Sequence, residues 1–394
     1  MREGWQTKKL REVCELVNGR AYSKPELLAA GKYRVLRVGN FFTNDHWYYS
    51  DMELEEKKYC DNGDLLYAWS ASFGPRIWTG GKVIYHYHIW KVVHDCTQID
   101  QMFLFYFFQW DTEKIKEDQG TGTTMMHVSM GSMNERDIHL PPLPEQQRIV
   151  ALLDEVFAGL ATAKANAERN LQNARAIFES HLQSVFSQRG EGWLEKALSE
   201  LCDIKHGYAF EGEFFSAEGD YVLLTPGNFY EAGGYRDRGE KQKYFTGDIP
   251  RDYVLREGDL LVAMTEQAAG LLGSSLLVPE SDKFLHNQRL GLVTAKPNVA
   301  WSNEFFFHVF NTQHVRREIH ASASGVKVRH TSPTKIGDVI VSFPLSLQEQ
   351  KSLVAEFASV SAETQHLTHL YERKLAALEE LKKSLLHQAF NGEL

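Results

Sequence analysis

Histidines carry the spacing that most invites chemistry in this chain. His86 and His88 alternate, and His94 follows a few residues on. Alternation along a strand would turn both imidazoles to one face, as a pair of metal ligands requires. Tyr85, Tyr87 and Trp90 interleave with them, so an aromatic strand accounts for the same spacing, and no bound metal is expected. The run Gly120-Thr121-Gly122-Thr123-Thr124 is rich in glycine but lacks the lysine that would reach a phosphate. No GxxxxGK[ST] phosphate loop, GxGxxG cofactor turn or HExxH zinc helix occurs, nor the Asn-Pro-Pro-aromatic tetrapeptide of an amino-methyltransferase. Catalysis by this chain alone is therefore not expected. An autonomous nuclease or methyltransferase built from scattered residues remains one alternative, and a purely structural coiled-coil scaffold another.

The elements that would position such groups follow from size and pattern. A chain of 394 residues, 43% hydrophobic and 24% charged, is ordinary soluble material for two or more domains. The longest apolar run, Met102 to Phe108, is far short of a membrane span, and the first residues lack the apolar core of a signal peptide. Cys14, Cys60, Cys96 and Cys202 form no CxxC pair and read as reduced thiols in a cytoplasmic protein. The net charge of −9 runs against the basic excess usual in phosphate binders. Residues 1–140 hold 17 basic and 19 acidic side chains, and residues 191–343 hold 16 and 21. Any anion-binding face must come from clustering, with acids displaced elsewhere.

The sequence is written twice. Gly4-Trp5 recurs as Gly192-Trp193, Glu12-Val13-Cys14 as Glu200-Leu201-Cys202, and Gly19-Arg20-Ala21-Tyr22 as Gly207-Tyr208-Ala209-Phe210, all 188 positions later. Gly39-Asn40-Phe41 matches Gly227-Asn228-Phe229 at that same offset. Gly63-Asp64-Leu65-Leu66 matches Gly258-Asp259-Leu260-Leu261 at 195, and Glu145-Gln146 matches Glu349-Gln350 at 204. The offset grows as loops lengthen between fixed elements. Each half opens with short β-like runs, such as Tyr33–Val38 and Lys82–Tyr85. A proline hinge follows, Pro141-Pro142-Leu143-Pro144 or Pro344-Leu345-Ser346, and then a long helical stretch over about 144–187 or 348–391. Ile149, Leu153, Val156, Leu160 and Leu171 form a coiled-coil stripe on the first helix. Leu353, Phe357, Val360, Leu367, Leu375 and Leu378 form one on the second. Ile149, Leu153, Leu353, Phe357, Leu375 and Leu378 are expected to be buried between the helices. A helix packed on its own globular domain is the alternative.

Two variable segments, each followed by a hinge and a long helix, resemble the specificity subunits of type I restriction–modification enzymes. The likeness is most specific at Leu143-Pro144-Glu145-Gln146-Gln147-Arg148-Ile149-Val150 and its echo Leu347-Gln348-Glu349-Gln350-Lys351-Ser352-Leu353-Val354. The terminal Ser384–Leu394 also looks like that family's ending. The second hinge departs from the pattern, Ser346-Leu347-Gln348 having lost its second proline. The resemblance implies an α+β fold: two mixed α/β target-recognition domains separated by two long helices that form an antiparallel coiled coil, with an internal two-fold repeat. The expected boundaries are 1–140 and 191–343 for the recognition domains, and 141–190 and 344–394 for hinge and helix. It implies a non-catalytic reader of a split site in double-stranded DNA, with the helices fixing the unread spacing. Two modification subunits carrying S-adenosylmethionine would dock on it, and restriction subunits using ATP and Mg²⁺ would join. No cofactor is expected in this chain, and no membrane contact.

Phosphate contacts need cations and small polar groups, while base edges need forked or amide side chains on exposed loops. In the first half Arg20, Lys24, Arg34 and Arg37, with Lys32, form a basic run with few acids near. Ser70, Ser72 and Arg76 follow the Gly63–Leu66 strand. In the second half the counterpart is Thr265-Glu266-Gln267, where Gln267 suits adenine and Glu266 suits cytosine. His86 and His88 align with Asn287 and Arg289 at an offset of 201, and Gln288 stands between the latter two. The late loops holding Thr123 and Thr124, or Lys327 and Arg329, are taken as equivalent. Asn40 and Asn228, after their glycines, read as turn residues.

Overall fold

The computed structural model describes residues 4–70, 74–119, 127–266 and 270–394; Ser72, Thr123, Thr124 and Gln267 lie outside them. The chain forms two compact units, residues 1–169 with 372–394 and residues 170–371. Each takes one globular part of the sequence and one segment of each long helix.

Both globular parts are built on one plan. Strand Gln6–Lys9 pairs antiparallel with Asp137–Leu140 and closes the first. Trp193–Ala197 pairs with Ile340–Pro344 and closes the second. Inside lies a four-stranded sheet in the order Cys14–Asn18, Ile89–His94, Leu65–Ala68, Gly74–Ile77. Its counterpart runs Cys202–His206, Leu290–Ala295, Leu260–Ala263, Ser275–Leu277. Leu65–Ala68 and Leu260–Ala263 are buried at every position. Covered on both faces, they read as continuous apolar runs rather than alternating ones. Each unit also holds a second small sheet with one parallel pairing among antiparallel ones, Val35 beside Ile84 in the first and Val222 beside Phe284 in the second.

A helix covers the central sheet in each unit. In the first it is Gln101–Gln119, started by Asp100, whose Oδ1 accepts from the Met102 and Phe103 amides at 2.8 and 3.0 Å. In the second it is broken into Asn303–Asn311 and Gln313–Ser322 at Thr312, which ends one helix and caps the next. Among the described residues no helix is long and apolar enough to cross a membrane. Cys14, Cys60 and Cys202 are buried thiols and Cys96 is exposed.

The glutamines of the two hinges are fully buried and act as latches. Gln146 Nε2 donates to the carbonyls of Gln98 and Pro141 at 3.0 and 2.9 Å, and its Oε1 accepts from the Asp100 amide at 2.8 Å. Gln350 Nε2 donates to Ala300 and Pro344 at 2.9 and 3.0 Å, and its Oε1 accepts from Ser302 at 2.9 Å. One side chain thus ties the start of the long helix to the chain reversal before the covering helix. It satisfies three backbone groups, buried or part-buried, that would otherwise be stranded. The loss of proline at Gln348 leaves this latch intact.

The long helices span Leu143–Gln188 and Leu347–Asn391, 46 and 45 residues. In the first unit they pair antiparallel, Lys382 lying over the Phe157 ring and Lys164 ion-paired with Glu379. In the second, His181 meets Glu356 at 3.0 Å and Phe186 stacks on Phe357. The apolar stripe is less uniformly buried than its spacing predicts. Ile149, Leu153 and Phe357 are buried, whereas Leu353, Leu375 and Leu378 are only half-buried, as are Val156, Leu160, Leu171, Val360 and Leu367. Leu353 also packs against the second unit's core, whereas along the middle of the helices only the partner helix, among the described residues, covers the stripe. Ile149 and Leu153 owe their burial to the globular core, where Phe103 and Phe107 join Leu386, Ala389 and Phe390 from the end of the second helix. Both readings of the helices therefore hold, each over its own stretch: the first helix begins, and the second ends, in the first unit's core.

Candidate nucleic-acid interface

A small turn is repeated closely in the two units. Gly19 lies so close to the backbone that an added Cβ would stand 2.3 Å from the Tyr85 carbonyl oxygen, and at Gly207 it would stand 2.2 Å from that of Asn287. Only glycine permits that approach. It lets the amide of Arg20 donate to Tyr85 at 3.0 Å, and that of Tyr208 to His286 at 2.9 Å. The Tyr87 amide returns to Arg20 at 3.1 Å, and the Gln288 amide to Tyr208 at 2.9 Å. Ile89 closes on His86 at 3.0 Å, and Leu290 on Asn287 at 2.9 Å. The next strand joins in: Trp69 donates to His88 at 3.1 Å, and Met264 to Arg289 at 2.9 Å. His86, Tyr87 and His88 therefore occupy the posts of Asn287, Gln288 and Arg289. The expected strand over 86–88 is instead the tight turn between Val83–Tyr85 and Ile89–His94.

Each turn borders an open cleft beside the Gly-Asn pair of its unit. The first, about 280 Å³, is lined by Arg37, Asn40, Asn44, His46, His86 and His88, among others. The second, about 510 Å³, is lined by Thr225, Arg238, Lys243, Thr265, Arg289 and Val328, among others. Arg37, over the Tyr48 ring at 5.3 Å, and Arg238 and Arg289 have no acidic partner among the described residues. Many other cations are neutralised, Arg20 by Glu26, Lys32 by Glu53, Lys82 by Glu56 and Lys91 by Asp64. Clustering thus leaves positive potential at the clefts of an acidic chain.

Several residues read from the sequence as DNA contacts are turned inward. Arg20 is paired with Glu26 at 2.7 Å. Arg34 donates to the Gly80 carbonyl at 2.6 Å beneath Trp47, so the basic run is largely spent on the protein itself. Ser70 is buried in a bridge to His127, and Arg76, though exposed, donates to the Phe41 carbonyl. Asn287 is buried, its Oδ1 accepting from the Arg289 amide at 3.1 Å. Glu266 is buried, with Oε2 accepting from the amides of Gly270, Leu271 and Leu272 at 3.0, 3.1 and 2.9 Å. It shapes a loop and cannot be offered to a cytosine in that state. Arg329 donates to the His320 carbonyl and lies 3.8 Å from Glu266. Thr265 and Arg329 sit on a short strand pair rather than on loops. Lys24, Arg37, Gln288, Arg289 and Lys327 are exposed.

The histidines of the first turn are electrostatically tuned. Burial, His88 and Arg37 push His86 down to about 4, and burial, His127 and Arg37 lower His88. The rings of His86 and His88 lie 4.8 Å apart. His286 is also pushed down to about 4, chiefly by burial. Arg238, Lys243, Asn44 and His46 escaped the sequence reading. The basic residues Arg236, Arg238, Lys241 and Lys243 were visible, but Asp237 and Glu240 interrupt them. Asn40 and Asn228 read as turn residues but stand in short helices, Val38–Phe42 and the 3-10 helix Pro226–Asn228; Asn40 donates to the Asn44 and His46 carbonyls, and Asn228 accepts from the Thr225 amide.

Comparison with known proteins agrees with this architecture. The family described as "Type I restriction modification DNA specificity domain" matches residues 2–170 and 190–376. The type I restriction enzyme EcoBI specificity subunit of Escherichia coli is 24% identical over 236 residues, 59% of this chain. That match spans 44% of the relative's length. A solved structure concerned with complex assembly and conformational transition of the type I R-M system shares the fold at a TM-score of 0.76 and 17% identity, covering 100% of this chain and 99% of that one. The HsdS subunit from Thermoanaerobacter tengcongensis does so at 0.63 and 18% identity, covering 100% and 98%. With the model matched twice, once over each repeat, this chain belongs to the family of type I restriction–modification DNA specificity domains.

Proposed function

We propose that this chain reads a split double-stranded DNA sequence, one half-site per repeat, within a cytoplasmic restriction–modification assembly. It performs no chemistry alone. Two modification subunits, carrying S-adenosylmethionine, hold to the repeated frame, and restriction subunits with ATP and Mg²⁺ join them. The observation that carries this reading is the repeated cleft: one backbone frame, presented twice, with unpaired cations and different side chains. Such a device suits two half-sequences that differ, since the frame positions and the side chains specify. The long helices serve as the spacer that fixes how many base pairs go unread.

The test exchanges residues 1–140 for the matching segment of a relative in the complex with modification subunits, and maps the methylated sequence. One half-site should change and the other persist. A change in both halves would show that the readers are not separate. Methyl transfer or cleavage by the purified chain with DNA, Mg²⁺ and S-adenosylmethionine would favour an enzyme instead. Absence of salt-dependent DNA binding in the assembled complex would leave only a scaffold.

A further inference from the structure

Within that DNA-reading function, the repeated turn singles out which side chains specify. If two copies of one frame read different sequences, the specifying residues must meet three conditions. They stand on backbone that the copies share, they differ between copies, and no intramolecular bond consumes them. Arg34, Glu266 and Arg329 fail the last condition. Asn287, inside the turn, is consumed by the Arg289 amide. Gln288 and Arg289 satisfy all three: they are exposed, their side chains have no partner among the described residues, and Arg289 lines the cleft.

We infer that Gln288 and Arg289 are the base-reading crest for the second half-site, Arg289 contacting a guanine in the major groove, and that Tyr87 and His88 hold the same posts for the first. A guanidinium fork matches the O6 and N7 acceptors of guanine, and a glutamine amide matches the N7 and N6 of adenine. The crest is held stiffly, because the amides and carbonyls on both sides of it are bonded within the turn. A side chain on such a support loses little additional freedom when it docks. In the first unit the Trp69 indole donates to the Tyr87 carbonyl at 2.8 Å and packs edge-on to His88, so aromatic buttressing supports that crest.

The experiment uses the complex of the full chain with its modification subunits and a library of randomised DNA sites. Arg289→Ala should lower the preference for guanine at one position of the second half-site roughly ten- to hundredfold, leaving the first half-site unchanged. Arg289→Lys keeps the charge without the fork, and should restore affinity and salt dependence but only part of the guanine preference. Equal weakening on all sequences by alanine, with a salt slope reduced by about one, would overturn the inference, because it marks a phosphate anchor. A wild-type complex without any sequence preference would defeat the DNA-reading function itself. A selective wild type matched by Arg289→Ala would defeat only the crest. Unchanged thermal melting of the variants keeps misfolding out of the comparison.

Discussion

In the first unit the turn after Val83–Tyr85 carries His86, Tyr87 and His88, whose rings pack on one another and on Trp69, itself stacked on Trp90. In the second unit the same turn carries Asn287, Gln288 and Arg289 over Met264, and its flank is held by a buried carboxylate, Glu266, accepting from three amides. One cleft is propped by aromatic packing and the other by hydrogen bonds and charge. Their main-chain bonds nevertheless agree to within a few tenths of an ångström. A frame fixed by glycine and by backbone bonding tolerates wholesale change in the side chains it displays. That is the property a reader of two unlike half-sequences needs.

The comparison can be broken most forcefully in the helices. Phe357 is buried between Phe186 and His308, whereas Leu378 is half-buried on a two-helix stretch. Phe357→Ala should cost about 3–5 kcal/mol in denaturant unfolding, and Leu378→Ala clearly less, about 1–2 kcal/mol. Equal costs would show that the two stretches are equally dry.

The glycines test whether the turns are one device. Gly19→Ala and Gly207→Ala each drive a methyl into a carbonyl oxygen, at 2.3 and 2.2 Å. Each should cost about 3 kcal/mol, the upper range for overpacking. Each should also impair only its own half-site in methylation mapping. A neutral substitution at one glycine and not the other would mean that the turns only look alike. The latches come next. Gln146→Leu or Gln350→Leu strands one amide and two carbonyls. A loss of about 1–3 kcal/mol is expected at either position, since some water can enter. A melting point unmoved by Gln350→Leu would show that the latch is ornamental in the second unit.

Much of this frame was legible from residue order alone. The offset of 201 between Tyr85–His88 and His286–Arg289 pairs residues that the structure places in equivalent posts. The Glu-Gln hinge marks the start of both long helices. What stayed hidden is directional. A short strand running into a tight turn has the same alternation as a longer strand, so His86 and His88 read as strand residues. Glu266 looks like an exposed acceptor until Gly270, Leu271 and Leu272 are seen to bring three amides to it. Arg20 and Arg34 look like one basic run because the partners that consume them, Glu26 and the Gly80 carbonyl, are fixed by folding.

The smallest expected effect sharpens the comparison by chemistry rather than stability. His86 titrates near 4 and His88 is lowered, because burial and the cations around them oppose a proton. Both imidazoles are therefore neutral near neutral pH in the free protein. A phosphate or guanine acceptor placed in that cleft opposes the field of Arg37 and raises both values. Binding then takes up protons, so affinity for the first half-site should rise as pH falls from about 8 to 6, by a few-fold. The second cleft presents Arg289, Arg238 and Lys243, which stay charged over that range, and its half-site should show no such slope. The folded state has the opposite sensitivity. His86 and His286, near 4 when folded and about 6.5 when unfolded, remove stability as pH falls through that window, so binding must be read above pH 6. Fluorescence titration of the complex against DNA altered in one half-site at a time separates the two slopes. If His86→Gln with His88→Gln leaves the first slope in place, the proton is taken up elsewhere. Equal slopes for both half-sites would mean that the two clefts, despite their different side chains, meet DNA with the same chemistry.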